Sequence, residues 1–298
     1  MSVLTRAIAW LNSVADAVGE VVLAPISALP GWLSATLVAV VTGVLMLIAF
    51  KYTSNQAAIK RVRAGIKANT LSLKLFKESA LVAIQAQRGM VVGAFWLLIY
   101  AIVPILVMTV PVLLILSQLA LWYQSRPLQS NEDAVITVKL RAPAGDAMPE
   151  VRPEPNSGLE FKTRSRIFSQ NEVCWDVRAK EEGYHQLQFR VGDQTYSKEL
   201  AVGAGMMRVS VLRPGYRFMD VLLNPAETPF DESSPVQSIK VSYPERAWFT
   251  RGAKTRVWNW VAIAWDWLAS LPGVWVWYWL IVSMVAAFCF KGVFKVNI

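Results

Sequence analysis

Apolar residues in this chain fall into two kinds of pattern, long unbroken runs and short alternations, and the change between them comes near residue 130. Trp32–Phe50, Gly89–Tyr123 and Leu271–Phe290 contain no charged residue. Each run is long enough to cross ~30 Å of hydrocarbon at ~1.5 Å per helical residue, so three membrane-crossing helices are expected. The second run is 35 residues long and holds Pro104 and Pro111. Folded back as a re-entrant hairpin it would make two arms of ~15 residues, each too short for the bilayer, so one crossing kinked at the prolines is expected.

Flanking segments carry a helical stripe instead. Residues 3–22 set Val3, Ala7, Trp10, Val14, Val18 and Val21 three and four apart, ahead of Pro25 and Pro30. That spacing predicts an amphipathic helix at the outer interface. The pattern recurs over 255–270, with Trp258, Val261, Trp265 and Leu268 on one face and Trp260 and Trp267 beside them. Tryptophan prefers the headgroup level, where its ring is sheltered and its N–H finds a partner. Trp275, Trp277 and Trp279 mark the start of the last run.

Between the first two runs, Ile59, Val62, Ile66, Asn69, Leu73, Phe76, Ala80 and Ala83 alternate steps of three and four. Lys60, Arg61, Arg63, Lys67, Lys74 and Lys77 lie off that seam. Two structures fit: a helical hairpin turning near Asn69 and Thr70, or one basic helix lying on anionic headgroups.

From about residue 134 the period becomes two. Ile136, Val138 and Leu140 alternate with polar residues, as do Val173, Trp175 and Val177. With Gly192 and Asp193 as a two-residue turn, Tyr184–Val202 becomes a hairpin that sets Phe189 opposite Tyr196 and His185 opposite Leu200. Further strands are expected at Met207–Leu212 and Val236–Tyr243, and residues 142–160 read as a loop. The predicted fold is therefore an α-helical membrane core of about three spans plus an all-β, antiparallel, sandwich-like domain on the outer side.

Composition supports the membrane reading. The 298 residues are 54% hydrophobic and 17% charged, with mean hydropathy +0.37. Charge then orients it. Residues 51–88 hold eight basic side chains, from Lys51 to Arg88, against the single acid Glu78, whereas residues 124–270 hold 19 basic and 18 acidic ones. By the positive-inside rule the basic segment is cytoplasmic, the large domain and the N-terminus lie outside, and the Lys291 and Lys295 tail lies inside. The organisation expected is an interfacial helix (1–30), a first span (31–50), a basic cytoplasmic segment (51–88), a second span (89–123), the β domain (130–250), a Trp-rich interfacial helix (254–270), a third span (271–291) and a tail (292–298). Because the basic residues follow the first apolar run, that run is expected to be a retained anchor and not a cleaved leader.

Candidate chemistry is sparse. His185 sits on the apolar face of its hairpin with no assignable nucleophile or acid, and reads as a packed histidine. Cys174 and Cys289 lie in different regions and are not expected to pair, and a CxxC motif is absent. Lys162, Arg164 and Arg166 read as a solvated strand face. No phosphate-loop, dinucleotide or HExxH motif occurs, so neither a cofactor nor enzymatic activity is expected. Within the runs the polar residues are Ser34, Thr36, Thr42, Thr109, Ser117, Gln118 and Ser283, which suit helix packing or a hydrophilic groove.

The order of these segments resembles the YidC-like membrane-insertase superfamily over roughly residues 32–123 and 271–295. The stretch Lys51-Tyr-Thr-Ser-Asn-Gln-Ala-Ala-Ile-Lys60, continuing through Ile66-Lys-Ala-Asn69 to Leu73-Lys-Leu-Phe76, is similar to the start of that superfamily's cytoplasmic helical segment. Tyr184 to Tyr196 is similar to part of bacterial membrane proteins with this layout, which implies a bacterial inner membrane. The resemblance implies a groove among three spans, lined by Thr36, Thr42, Ser117, Gln118 and Ser283. Lys51 and Arg88, at its cytoplasmic edge, are the nearest candidates for the positive side chain that several relatives place there. Lys60, Arg61, Arg63, Lys67, Lys74 and Lys77 would contact a ribosome or nascent membrane protein, and the β domain a protein partner, with lipid around the whole. The rival expectations are an anchored scaffold whose β domain is the working part, and an accessory subunit of a larger membrane complex.

Overall fold

The computed structural model describes residues 3–23, 25, 29–76, 78–141, 149–246 and 273–296. The Trp-rich segment expected at 254–270 and Lys77 lie outside them. By contact the chain divides into two compact units, residues 1–34 with 113–276, and residues 35–112 with 277–298. Two helices, α2 (Gly31–Thr53) and α4 (Ala80–Tyr123), are long and apolar enough to cross a membrane. A third apolar helix, α6 (Val274–Phe290), has 17 residues; at ~1.5 Å each it spans ~25 Å.

In the unit of residues 35–112 and 277–298, α3 (Gln56–Leu75) follows α2 after a two-residue break. Asn55 starts it, its side-chain oxygen accepting the Ala58 N–H at 3.0 Å, which satisfies one of the helix's orphan donors. The helix runs unbroken through Asn69 and Thr70. The turn comes later, between the end of α3 at Leu75 and the start of α4 at Ala80, and Asn69 packs sideways: a Cβ on Gly89 would fall 2.3 Å from its Nδ2, and one on Gly93 would fall 2.6 Å from Ile66. Two glycines one turn apart thus give α3 a close seat on α4. The result is a helical hairpin whose second arm is already α4. That helix is continuous for 44 residues with Pro104 and Pro111 inside it, and many of its apolar side chains stand open, such as Val91 at 70% and Leu106 at 67% exposed.

Helices α2 and α6 meet at Gly43, where an added Cβ would lie 2.3 Å from the carbonyl oxygen of Ser283. Side chains close the same seam. Trp279 donates its indole N–H to Thr42 Oγ1 at 2.9 Å, and Thr36 and Tyr278 share a hydroxyl hydrogen bond of 2.6 Å.

Among the described residues the other unit holds eight strands: β1 (Asp133–Leu140), β2 (Val151–Pro153), β3 (Leu159–Ile167), β4 (Glu172–Ala179), β5 (Gly183–Val191), β6 (Gln194–Val202), β7 (Leu212–Arg213) and β8 (Val236–Val241). They form two antiparallel sheets, ordered β3-β4-β1-β8-β7 and β2-β5-β6. Both contribute to one core, in which Ile136, Val138, Val173 and Ile239 of the first sheet join Phe189, Val191 and Leu200 of the second, with Trp175 and Phe189 5.4 Å apart. The β5–β6 hairpin has the expected register, Phe189 opposite Tyr196 and His185 opposite Leu200. Gly192 alone of the two turn residues has positive φ, +61°, the pattern of a type II′ turn.

Three expectations change. Residues 142–160 are not all loop, since Val151–Pro153 pairs with β5 and Leu159 opens β3. Met207–Leu212 forms no strand before Leu212: Gly203 and Gly205 at φ +153° and +89° turn the chain, and Val209 donates its N–H to Leu121 O at the end of α4. A short helix, α5 (Phe218–Leu223), was not foreseen.

Helix α1 (Val3–Leu23) is turned the opposite way from a soluble amphipathic helix. The apolar stripe is open, with Trp10 66%, Val14 44% and Val21 75% exposed, whereas Thr5, Ile8 and Asn12 are buried. Asn12 donates to Val221 O of α5, Asp16 pairs with Arg208 at 2.7 Å, and Ile8 packs with Val221, Leu222, Leu113 and Leu114. The small and polar face is spent on protein and the apolar face is left for an apolar surround.

Gly43 and Gly65 make a matched test of the helical unit. Nothing lies within 4 Å of a Cβ at Gly65, so Gly65→Ala should raise stability by about 1 kcal/mol through helix propensity alone. Gly43→Ala should lower it by about 2 kcal/mol by forcing α2 from α6. Thermal unfolding of the detergent-solubilised chain reads both, and equal effects would contradict the close seam.

Candidate functional site

The proposed groove residues fall into two sets, one in each unit. Thr36, Thr42 and Ser283 lie together on the α2–α6 seam. Thr42 Oγ1 donates to Val38 O at 2.8 Å while accepting from Trp279, and Ser283 Oγ donates to Leu280 O at 3.0 Å. These hydroxyls are engaged within and between helices, as small polar residues at apolar interfaces commonly are. Ser117 and Gln118 belong to the unit that contains the β domain. Ser117 Oγ donates to Leu114 O at 2.9 Å, and Gln118, 7% exposed, lies against α1, where Gly19 leaves it room. In the same unit Tyr123 donates to Ser34 at 3.2 Å.

Lys51 closes α2 in its last turn, where a cation favours the helix dipole. Its ammonium stands 6.0 Å from the Tyr52 ring. Arg88 is exposed on the first part of α4. Lys60, Arg61, Arg63, Lys67 and Lys74 are all exposed on α3, so the hairpin presents a basic outer surface. Beside it on α4, Val91, Val92, Phe95, Trp96 and Leu98 are exposed apolar residues. Cationic and apolar surface therefore adjoin on one helical hairpin.

His185 is half-buried, its Nε2 2.8 Å from Glu181 O, and its ring fills the space where a side chain on residue 158 would stand. Gly158 is needed there for that reason. Cys174 lies beside Thr137, 3.6 Å away. Lys162 and Arg178 both clasp Asp133 on the outer sheet face, at 2.8 and 2.7 Å, and hold its carboxyl well below the usual carboxylate range.

One polar cluster was not foreseen from the sequence. Lys198 of β6 is fully buried, and its ammonium donates to Glu227 Oε1 at 2.5 Å, Ser210 O at 2.6 Å, Ser210 Oγ at 2.9 Å and Glu199 O at 3.0 Å. Ser210 also bonds Glu227, and Glu227 Oε2 accepts the Glu199 N–H at 3.1 Å. Arg208 links the cluster outward, reaching Glu199 at 3.5 Å and Asp16 of α1 at 2.7 Å. Burial pushes the Lys198 ammonium down against the pull of Glu227, and pushes the Glu199 carboxyl up against that of Arg208. A lysine beside a serine hydroxyl is the arrangement of a general base and nucleophile. Here, however, Ser210 is 1% exposed and Lys198 is spent on a carboxylate, so neither offers an atom to a substrate. The cluster ties β6, the 208–227 segment and α1 together.

Among known proteins, no family model, no curated protein and no solved structure matches this chain. The site is therefore read from its own geometry, and that geometry points to surfaces. Alternation alone could have flagged Lys198, since it occupies an inward position between Tyr196 and Leu200. The residue that neutralises it is 29 positions away.

Two tests by substitution separate the roles in the cluster. Glu227→Gln leaves the Lys198 cation buried without its carboxylate and should cost about 3 kcal/mol, while Lys198→Met with Glu227→Leu should recover much of that loss. Glu199→Gln tests its raised pKa. A raised carboxyl contributes stability below its ordinary pKa of about 4.5 and loses it as pH rises through the folded value. The variant should therefore gain on the wild type as pH climbs above ~4.5. Urea unfolding across pH 4–8 reads both.

Proposed function

We propose that this chain is a non-enzymatic membrane-protein biogenesis factor of insertase or chaperone type, held in a bacterial inner membrane by α2, α4 and α6. In this reading the α3–α4 hairpin is cytoplasmic and the β domain is outside. The observation that carries it is the hairpin itself: a basic α3 seated through Gly89 and Gly93 on an α4 whose neighbouring apolar side chains stand open. A client membrane segment is apolar with charged flanks, and a ribosome surface is anionic, so a surface that combines cations with open apolar side chains suits both. The likeness of Lys51–Phe76 to the insertase segment supports the same reading. The topology follows the charge bias, with eight basic residues against one acid in the hairpin segment. Gly31–Thr53 and Ala80–Tyr123 have the length and hydropathy for crossing, and α6 supplies the third crossing of this reading. The hydroxyls at the α2–α6 seam would serve packing first, and a client path would open where Thr36, Thr42 and Ser283 exchange partners.

A second reading has its own observation. Strand β3 is an edge strand, seven of its nine residues are exposed, and it ends at Ile167 and Phe168, the latter 70% exposed. An open edge with an aromatic at its end suits a protein partner added strand to strand. On this reading the chain is a tether and the β domain does the work, alone or within a larger complex.

Photocrosslinking in native membranes distinguishes the two. Probes at Lys67, Leu71 and Trp96 should trap ribosomal proteins and nascent membrane chains if the hairpin recruits clients. Probes at Phe168 and Tyr184 should trap one defined protein if the β domain works alone, and a clean hairpin with a single Phe168 adduct would sink the biogenesis reading.

A further inference from the structure

The same hairpin holds a groove of about 550 Å³ with an unusual division of lining. It is lined by the apolar side chains Ile66 and Leu71 of α3 and Leu97 of α4, and by Arg63, Lys67, Thr70 and Lys74 of α3. Arg63, Lys67, Thr70 and Lys74 are spaced four, three and four apart, so all project from one face of the helix. The row covers eleven residue steps, roughly 16 Å of helix. Three like charges on one short face repel one another unless an anion lies among them, and residues 51–88 supply only one acid, Glu78.

Position decides the kind of anion. Leu97 lies within the uncharged run Gly89–Tyr123, and α3 begins two residues after the apolar helix α2 ends at Thr53. The groove therefore joins the cations of α3 to a side chain of the second apolar run. A free anion would use the cations and leave the apolar lining wet. A neutral lipid would use the apolar lining and leave the cations unpaired. An anionic amphiphile uses both, its headgroup charge compensated and its chain removed from water.

We propose that the α3–α4 groove binds an anionic phospholipid of the cytoplasmic leaflet, its phosphate held by the row Arg63, Lys67 and Lys74 and its acyl chain laid along Ile66, Leu71 and Leu97. The proposal rests on α2 and α4 crossing the membrane and not on any client being handled, so it stands or falls apart from the biogenesis reading. Such a lipid neutralises the row Arg63, Lys67 and Lys74 while Lys60 and Arg61, which do not line the groove, stay charged for a partner. Bound lipid would then fix how far the hairpin stands from the membrane surface.

The test uses the full chain in a neutral detergent and follows the anisotropy of tail-labelled phosphatidylglycerol and phosphatidylcholine. Phosphatidylglycerol should bind about tenfold more tightly or better. The groove variant Arg63→Gln/Lys67→Gln/Lys74→Gln should lose that preference, while Lys60→Gln/Arg61→Gln/Arg88→Gln, which removes the same charge elsewhere, should keep it. Circular dichroism checks that both remain helical. Equal binding of the two lipids, or equal losses in the two variants, would overturn the proposal in favour of diffuse surface charge. Displacement by millimolar inorganic phosphate would overturn it in favour of a free-anion site, and displacement by an acidic amphipathic peptide, but not by phosphate, in favour of a protein ligand.

Discussion

The constraint on which the rest depends is that α4 must stay helical for 44 residues. At ~1.5 Å per residue it is ~66 Å long, about twice the thickness of a bilayer core, and its two ends serve different units. Pro104 and Pro111 each remove an N–H that would have closed a helical turn, and the residues around them are mostly β-branched, yet the helix continues through both. Its first turns give α3 a seat at Gly89 and Gly93; its last turns receive α1 at Leu113, Leu114 and Gln118.

Polar side chains in this protein are used mainly as fasteners. Thr42 accepts an indole proton, Thr36 meets a tyrosine hydroxyl, Asn12 holds a carbonyl of α5, and Lys198 holds Glu227 and Ser210 inside the β domain. Each is a group whose burial would be costly alone, and each therefore specifies a partner. The Lys198 cluster is the extreme case. Its chemistry resembles a reactive dyad, but its burial makes it a clasp whose arms reach α1 through Arg208 and Asp16. The exposed surfaces, by contrast, hold what a client, a lipid or a partner could touch: the basic hairpin, the apolar side of α4 and the open edge of β3.

Much of the architecture was legible without coordinates. The apolar runs, the helical stripe of residues 3–22, the alternation in β1 and β4 and the hairpin at Gly192 are local properties: a side-chain period and one residue able to take positive φ suffice. The stripe of α1 was also read correctly as a face; what its spacing could not say is that Thr5, Asn12 and Asp16 on the other side would find protein. The same limit hid β2, whose three residues become a strand only because β5 lies beside them. It hid α5 as well, whose Val221 and Leu222 are covered by Ile8, more than 200 positions away.

The sequence by itself determined the long helices, the alternating strands and the stretches apolar enough to enter hydrocarbon, because those depend on neighbours within a turn or a strand. Tertiary structure alone decided which hydroxyls are spent in helix seams, which lysine is buried and which are left free, and where the α3 hairpin turns. The physical reason is that a polar group's cost depends on the partner that meets it, and partners such as Glu227 for Lys198 and Tyr278 for Thr36 lie 29 and 242 positions away in the chain.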